Sequence, residues 1–128
     1  MPRVKGTPMK PMKVLIAEDN AEMRRLLRAL VGRLAETVYQ CADGAEALEA
    51  YAAEHLSAED WVLMDIEMPQ LDGIAATREL KHRWPDARVC IVTGYDQPEW
   101  REAAQATGAN DYILKENLPA LRGLLRAG

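Results

Sequence analysis

The strongest constraint on this chain is an alternation that runs along nearly its whole length. A short apolar run is followed by a segment whose apolar residues recur every three or four positions, and then by another apolar run. "VLIA" at Val14 to Ala17 leads to Met23, Leu26, Leu27, Leu30, Val31 and Leu34, which predicts a strand and then an amphipathic helix with Asn20 as its N-cap. "TVYQCA" reads as a second strand, and Asp43-Gly44 opens a helix carrying Leu48, Ala52 and Leu56. "WVLMD" is the third strand, followed after the Pro69 to Gly73 turn by a helix through Ile74, Thr77 and Leu80. "RVCIVT" is the fourth, with a helix between Pro98 and Thr107. "DYILK" is the fifth, and Leu118, Leu121, Leu124 and Leu125 mark a final short helix.

Strands that alternate with helices imply a doubly wound parallel sheet, because parallel neighbours need crossovers and the crossovers cover both faces. The right-handed crossover rule leaves few topologies. In the strand order 2-1-3-4-5, the strands holding Cys41 and Cys90 are three positions apart, roughly 14 Å at about 4.8 Å per strand, too far to bridge. Both cysteines are expected to be reduced residues of apolar strands.

At 128 residues the chain suits one domain with a real core. The first thirteen residues carry Arg3, Lys5, Lys10 and Lys13, no acid and no periodicity, and read as a solvated tail; residues 1–11 are set apart as a flexible N-terminal tail and 12–128 as the single domain. The formal charge of −4 argues against a general nucleic-acid or membrane-surface binder, which usually shows a basic face. No apolar run approaches a membrane span and the N-terminus has no signal core, so a cytoplasmic location is expected.

Ligands of such sheets sit beyond the carboxyl ends of the strands. There the first strand ends in Glu18-Asp19, the third in Asp65, the fourth in Thr93-Gly94 and the fifth in Lys115. In the stretch "WVLMDIEMPQLDG" the buried run thus ends on an acid, a costly placement unless something compensates the charge. Each residue has an ordinary explanation alone: a cap, a strand-end hydroxyl, a solvated charge. Their arrival on one rim is harder to explain that way.

Three crowded acids either retain a proton or bind a cation. A small set of hard oxygen ligands suits Mg²⁺ (or Mn²⁺), which shares its shell with water and phosphate. Lys115 supplies a positive charge and Thr93 a donor for phosphoryl oxygens. With the incoming anion neutralised, a carboxylate can attack phosphorus and form an acyl phosphate, and Asp65 is the best placed nucleophile.

The segments "IAEDNAEMRRLL", "LMDIEMPQLDG", "IVTGY" and "GANDYILKE", in this order, resemble the receiver domain of bacterial two-component response regulators, over Met12 to Ala127. The resemblance implies a flavodoxin-like, chemotaxis-regulator-like fold and a phosphorylation-dependent signalling switch. It makes Asp65 the phosphoacceptor, Glu18 and Asp19 the acidic pair for the metal, and the backbone carbonyl of Glu67 a further ligand. Thr93 corresponds to the switch hydroxyl, Lys115 to the pairing lysine and Tyr112 to the switch aromatic. The implied donors are a histidine kinase, a phosphotransfer protein or a small phosphodonor. A downstream effector would be read by the face of the fourth helix, fifth strand and fifth helix. The chain is expected to be no enzyme beyond self-catalysed phosphoryl transfer and slow autodephosphorylation, with no direct nucleic-acid binding by this segment.

Glu116 follows the lysine where many receivers have a proline with a cis bond, so either a trans bond with a shifted loop or a strained cis bond is expected. Met68-Pro69 and Asp72-Gly73 are expected to turn the chain beside the site, with Gly73 taking a backbone shape other residues avoid. Glu67 and Tyr95, each two residues beyond a site residue, are expected to flank the path by which water would reach the acyl phosphate and to set its lifetime by charge and by occlusion. Trp100 on the fourth helix reads either as half-buried packing or as a partner anchor. A haloacid dehalogenase phosphatase would need a second Asp at Glu67, and a flavin binder would need a phosphate loop where "EDNAEMR" stands. The remaining rival is a receiver-like interaction module that works without phosphorylation.

Overall fold

The computed structural model describes residues 12–127, so the expected tail at 1–11 lies outside the described residues. Eleven elements follow the chain: β1 (Lys13–Ala17), α1 (Ala21–Val31), β2 (Thr37–Cys41), α2 (Gly44–Ala53), β3 (Trp61–Met64), α3 (Gly73–Arg83), β4 (Val89–Thr93), α4 (Pro98–Ala106), β5 (Asp111–Leu114), a 3-10 turn (Lys115–Asn117) and α5 (Ala120–Ala127). The five strands form one parallel sheet in the order β2-β1-β3-β4-β5, as the alternation predicts. The order of strand addition reverses at β1, with β2 laid on one side and β3 on the other, which opens a crevice at the carboxyl ends of β1 and β3.

Alternate strand residues point to opposite faces. Leu15, Ala17, Val62, Met64, Val89 and Ile91 pack under α2, α3 and α4, against Ala47, Leu48, Tyr51, Ala76, Leu80 and Ala104. Val14, Ile16, Leu63, Cys90, Val92 and Ile113 pack under α1 and α5, against Leu27, Val31, Leu121 and Leu125. The central strands β3 and β4 are buried throughout, whereas edge strand β2 is mostly half-buried. Cys41 is accordingly half-buried and Cys90 buried, both as free thiols.

Three helices that open next to the crevice side of the sheet are capped as their sequences dictate. Asn20 accepts from Met23 N at 2.9 Å, Asp43 from Glu46 N at 2.8 Å and Asp72 from Ala75 N at 2.9 Å.

Several expectations require correction. Lys13 is the first residue of β1: its N–H donates to Asp60 Oδ1 at 2.8 Å and its ammonium to the Glu54 carbonyl at 2.9 Å, so the solvated reading stops short of it. Leu26 sits on the apolar repeat of α1 yet is 46% exposed. In α2 the buried stripe is Gly44, Ala47, Leu48 and Tyr51, so Ala52 faces solvent and Leu56 lies beyond the helix end. Lys115 begins the 3-10 turn instead of ending β5. Among the described residues no helix is long and apolar enough to cross a membrane.

Candidate functional site

The crevice brings the rim acids together as the strand ends predict. β1 delivers Glu18 to the rim; its N–H donates to the Cys41 carbonyl at 3.0 Å, which continues the ladder to β2. From β3, the Asp65 N–H donates to the Ala17 carbonyl at 3.0 Å, which sets the two acids side by side. Glu18 is 1% exposed and Asp65 is 6% exposed, whereas Asp19 is on the surface. Ligand oxygens of Glu18, Asp19 and Asp65 lie within 4.8 Å of one another. An open cleft of about 460 Å³ covers them, lined also by Glu67, Met68, Pro69 and Lys115.

Each carboxylate oxygen has a distinct environment. Asp65 Oδ1 accepts from Ile66 N at 2.8 Å, and Oδ2 accepts from Lys115 Nζ at 3.3 Å. Glu18 Oε2 accepts from Asn20 N at 3.1 Å. The Lys115 ammonium forms an ion pair with Glu18 Oε1 at 2.9 Å, and apart from that pair this buried oxygen has no partner. It is close to a charge and still short of a ligand.

Burial dominates the electrostatics. It raises the carboxyl of Glu18, with the Lys115 ammonium and the Asn20 N–H pulling the other way and the Asp65 charge adding to the rise. Burial likewise raises Asp65 against the opposing charge of Lys115. Burial tends to lower Lys115, but its contact with Glu18 and the charge of Asp65 outweigh this, and the ammonium ends above its ordinary value. One lysine therefore holds two acids that desolvation makes reluctant to ionise.

Thr93 closes β4 at 1% exposure, and its Oγ1 accepts from Tyr95 N at 3.4 Å. The loop behind it is tied to β5 by the Tyr112 hydroxyl, which donates to the Tyr95 carbonyl at 2.6 Å. Arg101 lies over the Tyr112 ring at 4.6 Å, and Trp100 stacks on Tyr95 with ring centroids 5.0 Å apart. Trp100 is 36% exposed, so its inner face packs while its outer edge remains open. A hydrogen bond to Glu67 raises the Tyr95 hydroxyl above its ordinary value, which links the two residues expected to flank the water path.

Among the described residues no peptide bond is cis, so the Lys115-Glu116 bond is trans and Lys115 still reaches both acids. The loop beyond Asp65 corrects the expectation for Gly73. Gln70 takes the left-handed backbone, at φ 66, while Gly73 is needed for close approach: a Cβ there would run into the Asp65 carbonyl. Gly73 N donates to the Ile66 carbonyl at 2.8 Å. Gly44 does the same service from α2, donating to the Leu71 carbonyl at 3.0 Å, where a Cβ would again collide.

Sequence reasoning missed Gly44 and Arg24, whose Nη1 donates to the Glu18 carbonyl at 2.6 Å. An arginine six residues beyond the acid, one helical turn into α1, was the available signal for the second. Nothing local to Gly44 signals its contact with residue 71.

A doubly wound parallel sheet with an acidic crevice, a lysine and a strand-end hydroxyl at its carboxyl edge defines a domain of the CheY-type receiver architecture. The chain belongs to the response regulator receiver domain family, whose model matches residues 14–126. It is 32% identical to the response regulator MprA of Mycolicibacterium vanbaalenii over 121 residues, covering 91% of this chain and 51% of that protein. The chain thus spans about half the length of such curated relatives. Among solved structures it resembles the BeF3-activated N-terminal receiver domain of Klebsiella pneumoniae RstA, at TM-score 0.80 and 32% identity, covering 90% of this chain and 96% of that one. The CheX-CheY-BeF3-Mg²⁺ complex from Borrelia burgdorferi matches at TM-score 0.74 and 25% identity, over 81% of this chain and 78% of that one. A phosphorylation switch is the general function of the family, whose members act as signalling domains with kinases, phosphotransfer proteins and effectors.

Proposed function

We propose that this chain is a phosphorylation-dependent switch in which Asp65 accepts a phosphoryl group from a histidine kinase, a phosphotransfer protein or a small phosphodonor. The observation that carries the reading is the placement of Lys115 between two buried carboxylates, with one Glu18 oxygen held by nothing but that ammonium.

The donor set fits Mg²⁺ or Mn²⁺. The crowded oxygens are hard ligands, they are too few for a complete cage, and one has no partner apart from the Lys115 ammonium. Glu18, Asp19, Asp65 and the backbone carbonyl of Glu67 would hold the ion. When bound, it supplies positive charge that offsets repulsion between the carboxylates and the phosphoryl oxygens.

In the transfer, an Asp65 carboxylate oxygen forms a bond to phosphorus as the bond from phosphorus to the donor breaks, and the electron pair of that bond leaves with the donor group. The Ile66 N–H orients the Asp65 carboxylate from one side. Lys115, already at Asp65 Oδ2, pairs with the phosphoryl oxygens as charge moves onto them. Thr93 turns its hydroxyl toward the phosphoryl group, which draws on the loop leading to Tyr95. Tyr112, hydrogen-bonded to that loop, follows inward and reshapes the face of α4, β5 and α5 that an effector reads. Hydrolysis of the acyl phosphate resets the switch slowly, with no other enzymatic turnover. The reading includes a cytoplasmic location and an output through a protein partner, not through nucleic acid bound by these residues.

The test is incubation with acetyl phosphate and Mg²⁺, followed by intact mass, with Asp65→Asn as control. A single metal-dependent phosphoryl adduct, absent from the variant, is the expected result. An unmodified wild type that also fails to bind Mg²⁺ would transfer the protein to the class of phosphorylation-independent interaction modules.

A further inference from the structure

Several arginines elsewhere on the surface are matched. Arg83 pairs with Glu79 at 2.8 Å, Arg101 with Asp96 at 3.0 Å, Arg24 donates to the Glu18 carbonyl at 2.6 Å and Arg88 to that of Glu59 at 2.6 Å. Those on the outer side of α1 and α5 are not. Among the described residues, no ion pair or side-chain hydrogen bond engages Arg25, Arg28, Arg33, Arg122 or Arg126. On this flank of a chain of formal charge −4, five arginines stand beside a single cleft-lining acid, Glu36.

The two helices pack side by side, and a recessed cleft of about 310 Å³ opens between them. Arg33, just past the end of α1, and Arg122 and Arg126, one turn apart on α5, line it over a floor of Ala29, Leu30 and Leu34, with no acid in the lining. Arg25 and Arg28 line the adjoining cleft, which shares Ala29 and Arg33 and carries one acid, Glu36. Glu36 N donates to the Met12 carbonyl at 2.7 Å, so the end of α1 returns to the start of β1. The cleft is therefore at the opposite end of the sheet from Asp65.

We propose that this cleft is a binding site for a small phosphorylated ligand of nucleotide size. Guanidinium forks match phosphate oxygens in pairs, and three arginines line this cleft, one from the segment after α1 and two from α5. No carboxylate lines this cleft and none is paired with these arginines, so they are available to an anion. The leucine and alanine floor offers apolar surface to a flat ring. A volume near the lower end of the roughly 300–1,000 Å³ usual for ligand pockets suits one such molecule better than a protein face.

The experiment is a titration of the whole chain with ATP, inorganic pyrophosphate and sulfate, in EDTA to keep divalent cations out of the acidic crevice, read by calorimetry and amide chemical shifts. The expected result is saturable one-to-one binding of ATP, tighter than pyrophosphate, with shifts on α1 and α5. The Arg33→Ala/Arg122→Ala double variant should weaken it by at least about tenfold, roughly 1.4 kcal/mol. Arg78→Ala removes an arginine of α3 that is also unmatched and should leave ATP binding almost unchanged. Asp65→Asn should do likewise. Unchanged acetyl phosphate reactivity in the double variant establishes that it folds. Absence of saturable ATP binding overturns the proposal, as does an equal loss in Arg78→Ala or equal affinity for sulfate. A poly-glutamate peptide binding more tightly than ATP also overturns it, and assigns the flank to an acidic protein segment.

Discussion

The Tyr112 hydroxyl and the Tyr95 carbonyl are joined by a 2.6 Å hydrogen bond that fastens the loop after β4 to β5. Tyr112→Phe keeps the ring under Arg101 and removes only this bond. The variant should lose about 1 kcal/mol of stability in denaturant unfolding. It should still accept phosphate on Asp65, but effector-face chemical shifts should respond less to phosphorylation.

Asp65→Asn removes one of three crowded carboxylates, two of them desolvated. Without divalent cations the variant should melt at a higher temperature than the wild type. Added Mg²⁺ should stabilise the wild type by about 2.7 kcal/mol at a hundredfold excess over Kd, and the variant much less. Paired thermal melts with EDTA and with Mg²⁺ check both outcomes.

Glu67 and Tyr95 are linked across the mouth of the site, with Trp100 backing the tyrosine. Tyr95→Ala opens that wall and should speed loss of the phosphoryl group severalfold; Glu67→Ala should change the rate as well, by removing a charge beside the water path. Decay of the purified phosphoprotein, followed by intact mass, reads both. Unaltered decay in the two variants would remove these residues from any role in its lifetime.

On the alkaline side the titrations have a definite sign. Burial raises the Cys41 thiol from 9.0 to about 12 and the Tyr51 hydroxyl from 10.0 to about 12. Between those values the folded state holds protons that the unfolded chain has released, so stability falls as pH rises. Lys115, raised above 10.5, acts in the same direction: its contribution is complete below 10.5 and lost as pH climbs through its folded value. Lys81, lowered by burial, opposes them. Unfolding midpoints from pH 9 to 11 should decline, and less steeply in Cys41→Ala than in the wild type.

Gly73→Ala places a methyl group against the Asp65 carbonyl, so the backbone must shift at the proposed phosphoacceptor itself. The variant should fold with a lower melting temperature and form adduct with acetyl phosphate at a small fraction of the wild-type rate. Gly123→Ala, where a Cβ meets nothing within 4 Å, is the matched control and should leave the rate unchanged.

The strand ends were legible because burial writes itself as continuous apolar runs in β3 and β4, and the residue closing each run is then the one at the rim. Glu18, Asp65 and Thr93 all follow from that rule. Helix starts were legible from Asn20, Asp43 and Asp72, whose side chains cap locally. What could not be read depends on distant partners. Lys13 joins β1 because Asp60 and Glu54 meet it from far along the chain. Tyr51 replaces Ala52 on the inner face of α2, where its ring meets Trp84 at 4.7 Å. Leu26 obeys the helical repeat yet faces out, because the repeat is wider than the strip the sheet covers.

The loop from Asp65 to Gly73 is held by main-chain bonds to Gly44 and Gly73, at sites where any side chain would intrude. Neither glycine has a side chain to offer the proposed chemistry, yet together they fix the aim of the Asp65 carboxylate. In a saturation-mutagenesis screen for signalling output, these two positions would therefore be as intolerant as the proposed phosphoacceptor. A map of intolerance would outline a structural frame around the reactive group, wider than the set of residues that can touch phosphate.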